Sequence, residues 1–247
     1  MFLKFDDLGE KAINKIAEVA LSTKLEQTEK LRVKVKTDPN LLAQGVLESL
    51  VIDCQGLIVE NALRMETINI TLKTIAVSPL KALMGNIQLT KPSQGKAYIS
   101  LTEADITRVF DSQFFIKKVE NKQIIIDNKV VNVTLQQVNC KLLDTGKMLI
   151  EGLVKLQETG KLINISLQIT PRICQAGNGV IIDDIEYLKE PYLSSVLLSF
   201  VREEAKKILN LNNFKLDGFY LKVQQFNITQ GSLKLEADAA MNQFPSS

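Results

Sequence analysis

The best candidate for catalytic or metal-binding chemistry in the sequence is the acidic run Asp183-Asp184-Ile185-Glu186. Alternate carboxylates of this kind can hold a divalent cation or act as an acid and base pair. Neighbouring residues of a strand point to opposite faces, so Asp183 and Asp184 do not converge if the segment is extended. We therefore expect a solvated strand end here, without a metal site or catalytic residues.

The chain of 247 residues has no histidine and three cysteines, Cys54, Cys140 and Cys174. Without histidine, Ser-His-Asp triads, Cys-His nucleophiles and His-ligated metal sites are excluded. The three cysteines form no zinc motif, and an odd number fits no disulfide framework. We expect buried thiols in a reducing compartment, and much catalytic chemistry is excluded.

Two other motifs and the overall charge carry little chemistry. Gly177-Asn178-Gly179 lacks the lysine and the strand–loop–helix context of a phosphate loop, so it predicts a turn. Lys117, Lys118 and Lys122 form a basic cluster at a helix exit, which suits either anionic headgroups or a solvated helix end. Thirty basic and 28 acidic residues leave a charge of +2, with 6% aromatic residues, which argues against a nucleic-acid partner.

Three helices are predicted from apolar spacing and capping signals. Residues 1–26 contain an amphipathic helix, since apolar side chains recur at helical spacing opposite charged ones. A second helix, near residues 102–118, begins at a capping box of Thr102 and Asp105. A third, near residues 191–209, has Pro191 at its first position and a first half interrupted only by serines. We expect this long apolar helix to be buried on most sides.

In most of the remaining chain, apolar and polar residues alternate, which is typical of strands with one face exposed to solvent. Ile163, Ile165, Leu167 and Ile169 alternate with polar residues. Asn-Ile/Val-Thr/Ser recurs four times, which predicts outward Asn and Thr or Ser and an inward residue between them. The four inward residues are Ile70, Val133, Ile165 and Ile228.

Two predicted strands reverse the face of their apolar residues part-way along. Ile68, Ile70 and Leu72 give way to Ile75 and Val77. In the other strand, Phe219, Leu221 and Val223 give way to Phe226 and Ile228. A bulge of one extra residue would return both sets to one interior, and bulges curve a sheet. The alternative is a strand end buried on both faces.

The organisation of the chain favours a single α+β domain over residues 1–247. Residues 38–45 and 78–85 share a capping residue, a proline and a final glycine, which predicts two short helical turns. The strands over residues 27–240 would form one strongly curved antiparallel sheet. The first 21 residues carry four acidic side chains and lack the basic start of a secretory signal, and no stretch is long and apolar enough to span a membrane. We therefore expect a cytoplasmic protein.

Residues 45–108 resemble the LmeA-type phospholipid-binding family, long catalogued as a domain of unknown function, and in particular its cyanobacterial branch. After Val119 the likeness is limited to the strand-rich pattern and the late helix. The matching residues are Gly56-Leu57, Leu63-Arg64, Ile75-Ala76-Val77-Ser78-Pro79-Leu80, Ala82-Leu83-Met84-Gly85, Ile87-Gln88-Leu89-Thr90 and Leu101-Thr102-Glu103-Ala104-Asp105-Ile106.

The resemblance implies a fold similar to tubular lipid-binding proteins, with an antiparallel sheet rolled about a long helix and an apolar cavity. It implies binding of a phospholipid in support of the membrane or envelope, without catalysis, so we expect a protein that is not an enzyme and needs no cofactor. We further expect that the bound lipid is a phospholipid or a fatty acid and that the protein transfers it. The alternative is an interaction module with the same fold and a packed interior, because both demand the same inward residues. The predicted lipid-lining residues are Ile163, Ile165, Leu167, Ile169, Leu193, Val196, Leu197, Phe200 and Val201.

The predicted partners are lipids and, transiently, a membrane surface. Phe2, Leu3 and Phe5 lie beside Lys4, and such a terminal apolar cluster suits shallow insertion at a membrane. The alternative is that these residues cover an edge of the sheet or pack on the core. The sequence does not predict an oligomeric state.

Overall fold

The computed structural model describes most of the chain: residues 11, 14–15, 17–19, 21–22, 25, 27–78, 89–126, 128–177, 179–188, 199–200, 202–203 and 216–243. The described strands and short helices are, in chain order, β1 (Lys30–Lys36), α1 (Pro39–Ala43), β2 (Val46–Val59), β3 (Leu63–Ala76), β4 (Ser93–Thr102), α2 (Glu103–Asp111), α3 (Gln113–Val119), β5 (Lys122–Ile126), β6 (Lys129–Leu142), β7 (Met148–Leu156), β8 (Leu162–Ile173), β9 (Val180–Tyr187), β10 (Phe219–Thr229) and β11 (Ser232–Met241).

These strands form two antiparallel sheets, where the sequence predicted one. The first sheet has six strands in the order β1-β2-β3-β4-β11-β10, and the second has five in the order β5-β6-β7-β8-β9. Because β4 leads directly into α2 and α3, these two helices carry the chain from one sheet to the other. The mainly antiparallel β-structure with a few helices agrees with the predicted class.

Strand irregularities bend both sheets. In β10 the pairing shifts register between Val223 and Gln225, which is the bulge that the sequence predicted. In β3 the predicted bulge is wrong, because the pairing with β2 keeps one register on both sides of Thr74. Thr74 instead has a left-handed φ of 54°, so that Lys73 and Thr74 are both exposed and Ile75 returns to the core. Further shifts occur in β6 and at the β8–β9 pairing, and such irregularities curve a sheet.

The predicted helix over residues 102–118 is two short helices. Thr102 and Asp105 form the predicted capping box at the start of α2. Ser112 interrupts the helix in an extended conformation, with φ −74° and ψ 150°. Its backbone N–H donates to Val109 and its hydroxyl accepts from the N–H of Phe115, so one serine ends α2 and begins α3.

The first and the third predicted helix each lie partly outside the described residues. All described residues between 11 and 22 are helical, in agreement with the amphipathic helix predicted there. Ser199, Phe200, Arg202 and Glu203 are helical as well, and the rest of the long apolar helix predicted near 191–209 lies outside the described residues. The turn predicted at 38–45 is α1, capped by Asp38, whereas most of its counterpart at 78–85 is not described.

The interior is a continuous apolar cluster to which both sheets contribute. The four residues predicted to point inward from the Asn-x-Thr/Ser motifs are all buried in it, whereas the prediction that Ser166 faces water is wrong, because Ser166 is buried too. In the described part of the chain, no helix has the length and apolar character needed to cross a membrane.

Candidate functional site

The first contact between the two sheets is made by α2, which covers an open edge of β6. The Glu103 carboxylate accepts a hydrogen bond from the N–H of Leu142 at 2.7 Å, and the Thr107 hydroxyl accepts from the N–H of Cys140 at 3.2 Å. These side chains satisfy strand donors that β5 is too short to reach, since β5 pairs only with the first residues of β6. The helix therefore replaces a neighbouring strand along this edge.

An ion cluster fixes the start of α2 against β3. Arg64 donates to Asp105 and Glu66, both at 2.7 Å, and to Glu29 at 2.9 Å. Asp105 is 2% exposed, and its second oxygen accepts from the N–H and hydroxyl of Thr102, both at 2.8 Å. The hydrogen bonds to Glu66, Asp105 and Glu29 raise the pKa of Arg64, so the guanidinium stays charged. The cluster therefore brings together two segments that carry the family resemblance, Leu63-Arg64 and Leu101–Ile106.

The second contact between the sheets lies at the β8–β9 turn. Gly177 accepts a hydrogen bond from the N–H of Val223, at the β10 bulge, at 2.8 Å. A Cβ atom at Gly177 would lie 2.6 Å from the carbonyl oxygen of Val223, and φ there is +70°. Only glycine permits this approach without strain. Gly177 and Gly179 therefore belong to a turn, as predicted, and Gly177 joins the edge of the first sheet.

The predicted lipid-lining residues of β8 lie on the inner face of the second sheet. Ile165, Leu167 and Ile169 are each 3% exposed, and Ile163 is partly buried. All four pack in the common apolar cluster, and so does Phe200. The other predicted lining residues, Leu193, Val196, Leu197 and Val201, lie outside the described residues, and so do Phe2, Leu3 and Phe5 of the predicted membrane contact.

A second set of apolar residues lies at the edges of the two sheets, on β9 and β10. These two edge strands are not hydrogen bonded to each other as a strand pair. Their inward side chains keep part of their surface exposed although they pack on the core, and the chain between them carries Phe200. We call these residues the apolar seam: Ile182, Ile185, Phe200, Phe219, Leu221 and Phe226.

The β9 bulge explains why Ile182 and Ile185 both face the core although they are three residues apart. Thr170 pairs with Asp184 and Pro171 with Ile182, so that Asp183 is the extra residue. A bulge of this kind keeps the apolar residues on one face. The carboxylates of the acidic run point to solvent, as predicted, but the prediction of a strand end is wrong, because the run lies in the middle of β9.

The carboxylates of the acidic run are exposed, and two of them, Asp183 and Glu186, form ion pairs. Arg172 donates to Asp183 at 2.7 Å and lowers the pKa of that carboxyl, and Lys147 lies 2.5 Å from Glu186. Among the described residues, no group of three or more His, Cys, Asp or Glu side chains is arranged to hold a metal ion.

The cysteines have the character that the sequence predicted for two of them. Cys54 and Cys140 are buried, and burial raises the pKa of their thiols to about 11 and about 12. Glu103 adds to the effect at Cys140. Cys174 is partly buried, and none of the three forms a disulfide. A raised pKa keeps a thiol protonated and unreactive at neutral pH.

The basic cluster at the helix exit lies at the end of α3, where Lys117 and Lys118 occupy the last turn. The Lys118 ammonium lies 4.1 Å from the centre of the Phe114 ring. Cations at this position interact favourably with the helix dipole, which agrees with the solvated helix end.

The architecture defines a mainly antiparallel β-protein with a continuous apolar interior between two curved sheets. The chain matches the family model for LmeA-like phospholipid-binding over residues 5–238, which is nearly its whole length. It belongs to that family, and the resemblance seen over residues 45–108 is confirmed. No curated protein and no solved structure matches the chain.

Proposed function

We propose that the protein binds a phospholipid, or a similar lipid, without catalysing a reaction on it, and exchanges this lipid with a membrane surface in support of the membrane or envelope. Membership of the phospholipid-binding family over nearly the whole chain is the observation that carries the proposal. The apolar interior supports it, because each buried methylene of an acyl chain contributes about 0.8 kcal/mol. Headgroup selectivity should therefore be modest.

The acyl chains would contact the apolar seam and, through it, the inner face of β8. The seam residues pack on the core and keep exposed apolar surface, which a lipid can cover. Ile165, Leu167 and Ile169 are already covered by protein, so of the four predicted lining residues of β8 only Ile163 has exposed surface for a lipid to contact. The same burial favours the second candidate function, an interaction module with a packed interior and no ligand.

Two aromatic residues of β10 provide a matched test of the site. Phe226 belongs to the seam, whereas Tyr220 is 55% exposed and lies outside it. We expect Phe226→Ser to weaken uptake of a fluorescent phospholipid roughly tenfold, since a fully buried phenyl group contributes about 1.5–3 kcal/mol. Tyr220→Ser should leave uptake unchanged. Equal effects of the two substitutions, in variants shown by thermal melting to be folded, would exclude the seam as the acyl site.

Thermal melting with added phospholipid separates the two candidate functions. A ligand that binds only the native state stabilises it, by about 2.7 kcal/mol at a hundred times its dissociation constant. Lipid binding therefore predicts a melting temperature that rises with lipid concentration. A packed interaction module predicts no change.

The terminal segment is the proposed point of insertion into the membrane. Replacing Phe2 and Phe5 by serine should lower binding to liposomes and the rate of lipid uptake, because shallow insertion depends on buried apolar area. The melting temperature should stay nearly unchanged. A protein that melts on this substitution, and that never bound liposomes, would show that the segment is structural.

A further inference from the structure

The outer face of β1 carries a row of four cations. Lys30, Arg32, Lys34 and Lys36 alternate with inward Leu31, Val33 and Val35, and all four cations are exposed. Successive outward residues of a strand lie about 6.8 Å apart, so the row extends over roughly 20 Å. For a chain with a net charge of +2, this is a marked concentration of positive charge on one strand.

Three of the four cations form no ion pair with a described residue. Lys36 lies 3.0 Å from Glu48. In the described part of the chain, Lys30, Arg32 and Lys34 have no ion-pair partner.

The nearby carboxylates are occupied by other groups. Glu29 is bound by Arg64, and Asp53, which pairs with Arg32 in the strand register, accepts a hydrogen bond from the Asn69 amide. The Asn69 amide is neutral and leaves the charge on Asp53, so the row presents three exposed cations with one carboxylate across from Arg32.

Protection of a sheet edge is the ordinary reason for lysines on an edge strand. Here a helix already reaches that edge, since the Asn14 side chain accepts a hydrogen bond from the N–H of Val35 at 2.6 Å. The outward residues of β1, β2 and β3 include no aromatic side chain, and the exposed Tyr98 of β4 lies three strand spacings, about 14 Å, from Arg32. Single-stranded nucleic acids are usually held by aromatic stacking as well as by charge, which leaves a smooth anionic surface as the better match.

We propose that the β1 row, defined as Lys30, Arg32 and Lys34, docks the protein on an anionic lipid surface. This inference rests on the proposed lipid exchange and assigns a membrane-facing side to it. Each basic residue near an anionic leaflet strengthens binding about fivefold, so three together contribute roughly 100-fold. The attraction weakens with salt, because the Debye length falls from about 10 Å at 0.1 M to about 3 Å at 1 M.

The test compares two triple variants with the same net charge. Lys30→Gln, Arg32→Gln, Lys34→Gln removes the row, whereas Lys129→Gln, Lys161→Gln, Lys234→Gln removes three exposed lysines elsewhere. Binding is measured by co-sedimentation with vesicles of phosphatidylcholine and phosphatidylglycerol, and with phosphatidylcholine alone.

We expect the row variant to lose roughly 100-fold in binding to the anionic vesicles, and the control variant to bind nearly as well as the unmodified protein. Binding should weaken with salt and be far weaker on phosphatidylcholine. Equal losses in both variants, or no binding to anionic vesicles at all, would overturn the proposal. Salt-sensitive retention on an oligonucleotide without vesicle binding would also overturn it, and would assign the row to nucleic acid.

Uptake of a fluorescent phospholipid from detergent separates this inference from the proposed function. The row variant should still take up lipid at equilibrium, because the apolar seam is intact. Uptake without binding to anionic vesicles contradicts the docking surface alone. Row-dependent vesicle binding without uptake contradicts the proposed function and supports the docking surface.

Discussion

Replacing Asp105 by alanine should be among the most destabilising single changes outside the apolar core. The carboxylate is 2% exposed and accepts from Arg64 at one oxygen and from the backbone and hydroxyl of Thr102 at the other. Loss of the cap costs about 1 kcal/mol. Loss of the charged hydrogen bond with Arg64 costs about 1.5–3 kcal/mol.

The combined cost is roughly 3 kcal/mol, less than for an isolated buried pair, because Arg64 keeps Glu29 and Glu66. For a chain of this size, the melting temperature should fall by about 10 °C, and the urea midpoint should fall with it. Both are measured by circular dichroism.

Asp111 provides the control, since it is an exposed carboxylate on the last residue of the same helix. Asp111→Ala should change stability by no more than about 0.5 kcal/mol. A similarly small effect of Asp105→Ala would refute the idea that the ion cluster holds the two sheets together. Thr102→Ala, which removes only the cap, should fall between the two.

Three further predictions concern the strands and the thiols. Gly95→Ala should prevent stable folding, because the new Cβ atom would lie 1.8 Å from a backbone oxygen of β3. At Gly146 a Cβ atom would meet no atom within 4 Å, so Gly146→Ala should lower the stability by only about 1 kcal/mol, the cost of its positive φ. Soluble yield and melting temperature test both expectations. Thiol labelling at neutral pH should modify Cys174 first, with Cys54 and Cys140 reacting only on unfolding; equal rates in the native state would contradict their burial. Since burial raises the pKa of Cys54 from 9.0 to about 11, the unfolded thiol ionises first, so stability is unaffected below about pH 9 and falls as pH rises toward 11. The urea midpoint should therefore drop between about pH 9 and pH 11, and drop less in Cys54→Ala.

Local patterns in the sequence predicted individual elements well. The alternation of β8 and the capping box at Thr102 and Asp105 depend on residues a few positions apart, so their spacing indicates the structure directly. The bulge of β10 is visible because the apolar residues change face. In β3 the same signal has another cause, the left-handed Thr74, which periodicity alone does not distinguish from a bulge.

The division into two sheets and the groups that join them depend on distant residues. Arg64 meets Asp105 across 41 positions, and Glu103 meets Leu142 across 39. The types of these four residues do not indicate which of them pair, although Leu63-Arg64 and Leu101–Ile106 both belong to the segments that resemble the family. The sequence analysis named Phe200 and the β10 residues of the apolar seam but not Ile182 and Ile185, because these two share a face only when Asp183 is bulged out.

The four alternating cations of β1 are visible in the sequence as Lys-Leu-Arg-Val-Lys-Val-Lys. Strand periodicity alone places its four cations on one face. What only the structure shows is that Lys36 is paired with Glu48, that Glu29 is paired with Arg64, and that Asp53 lies across from Arg32.

Native mass spectrometry of the purified protein tests the central claim most directly. Phospholipid binding predicts a population whose mass exceeds that of the 247-residue chain by one lipid, and whose added mass is released as phospholipid on collisional activation. Phe226→Ser should reduce this population, and Tyr220→Ser should not. A single lipid-free mass, unchanged after incubation with phospholipid vesicles, would contradict the account and favour a packed interior.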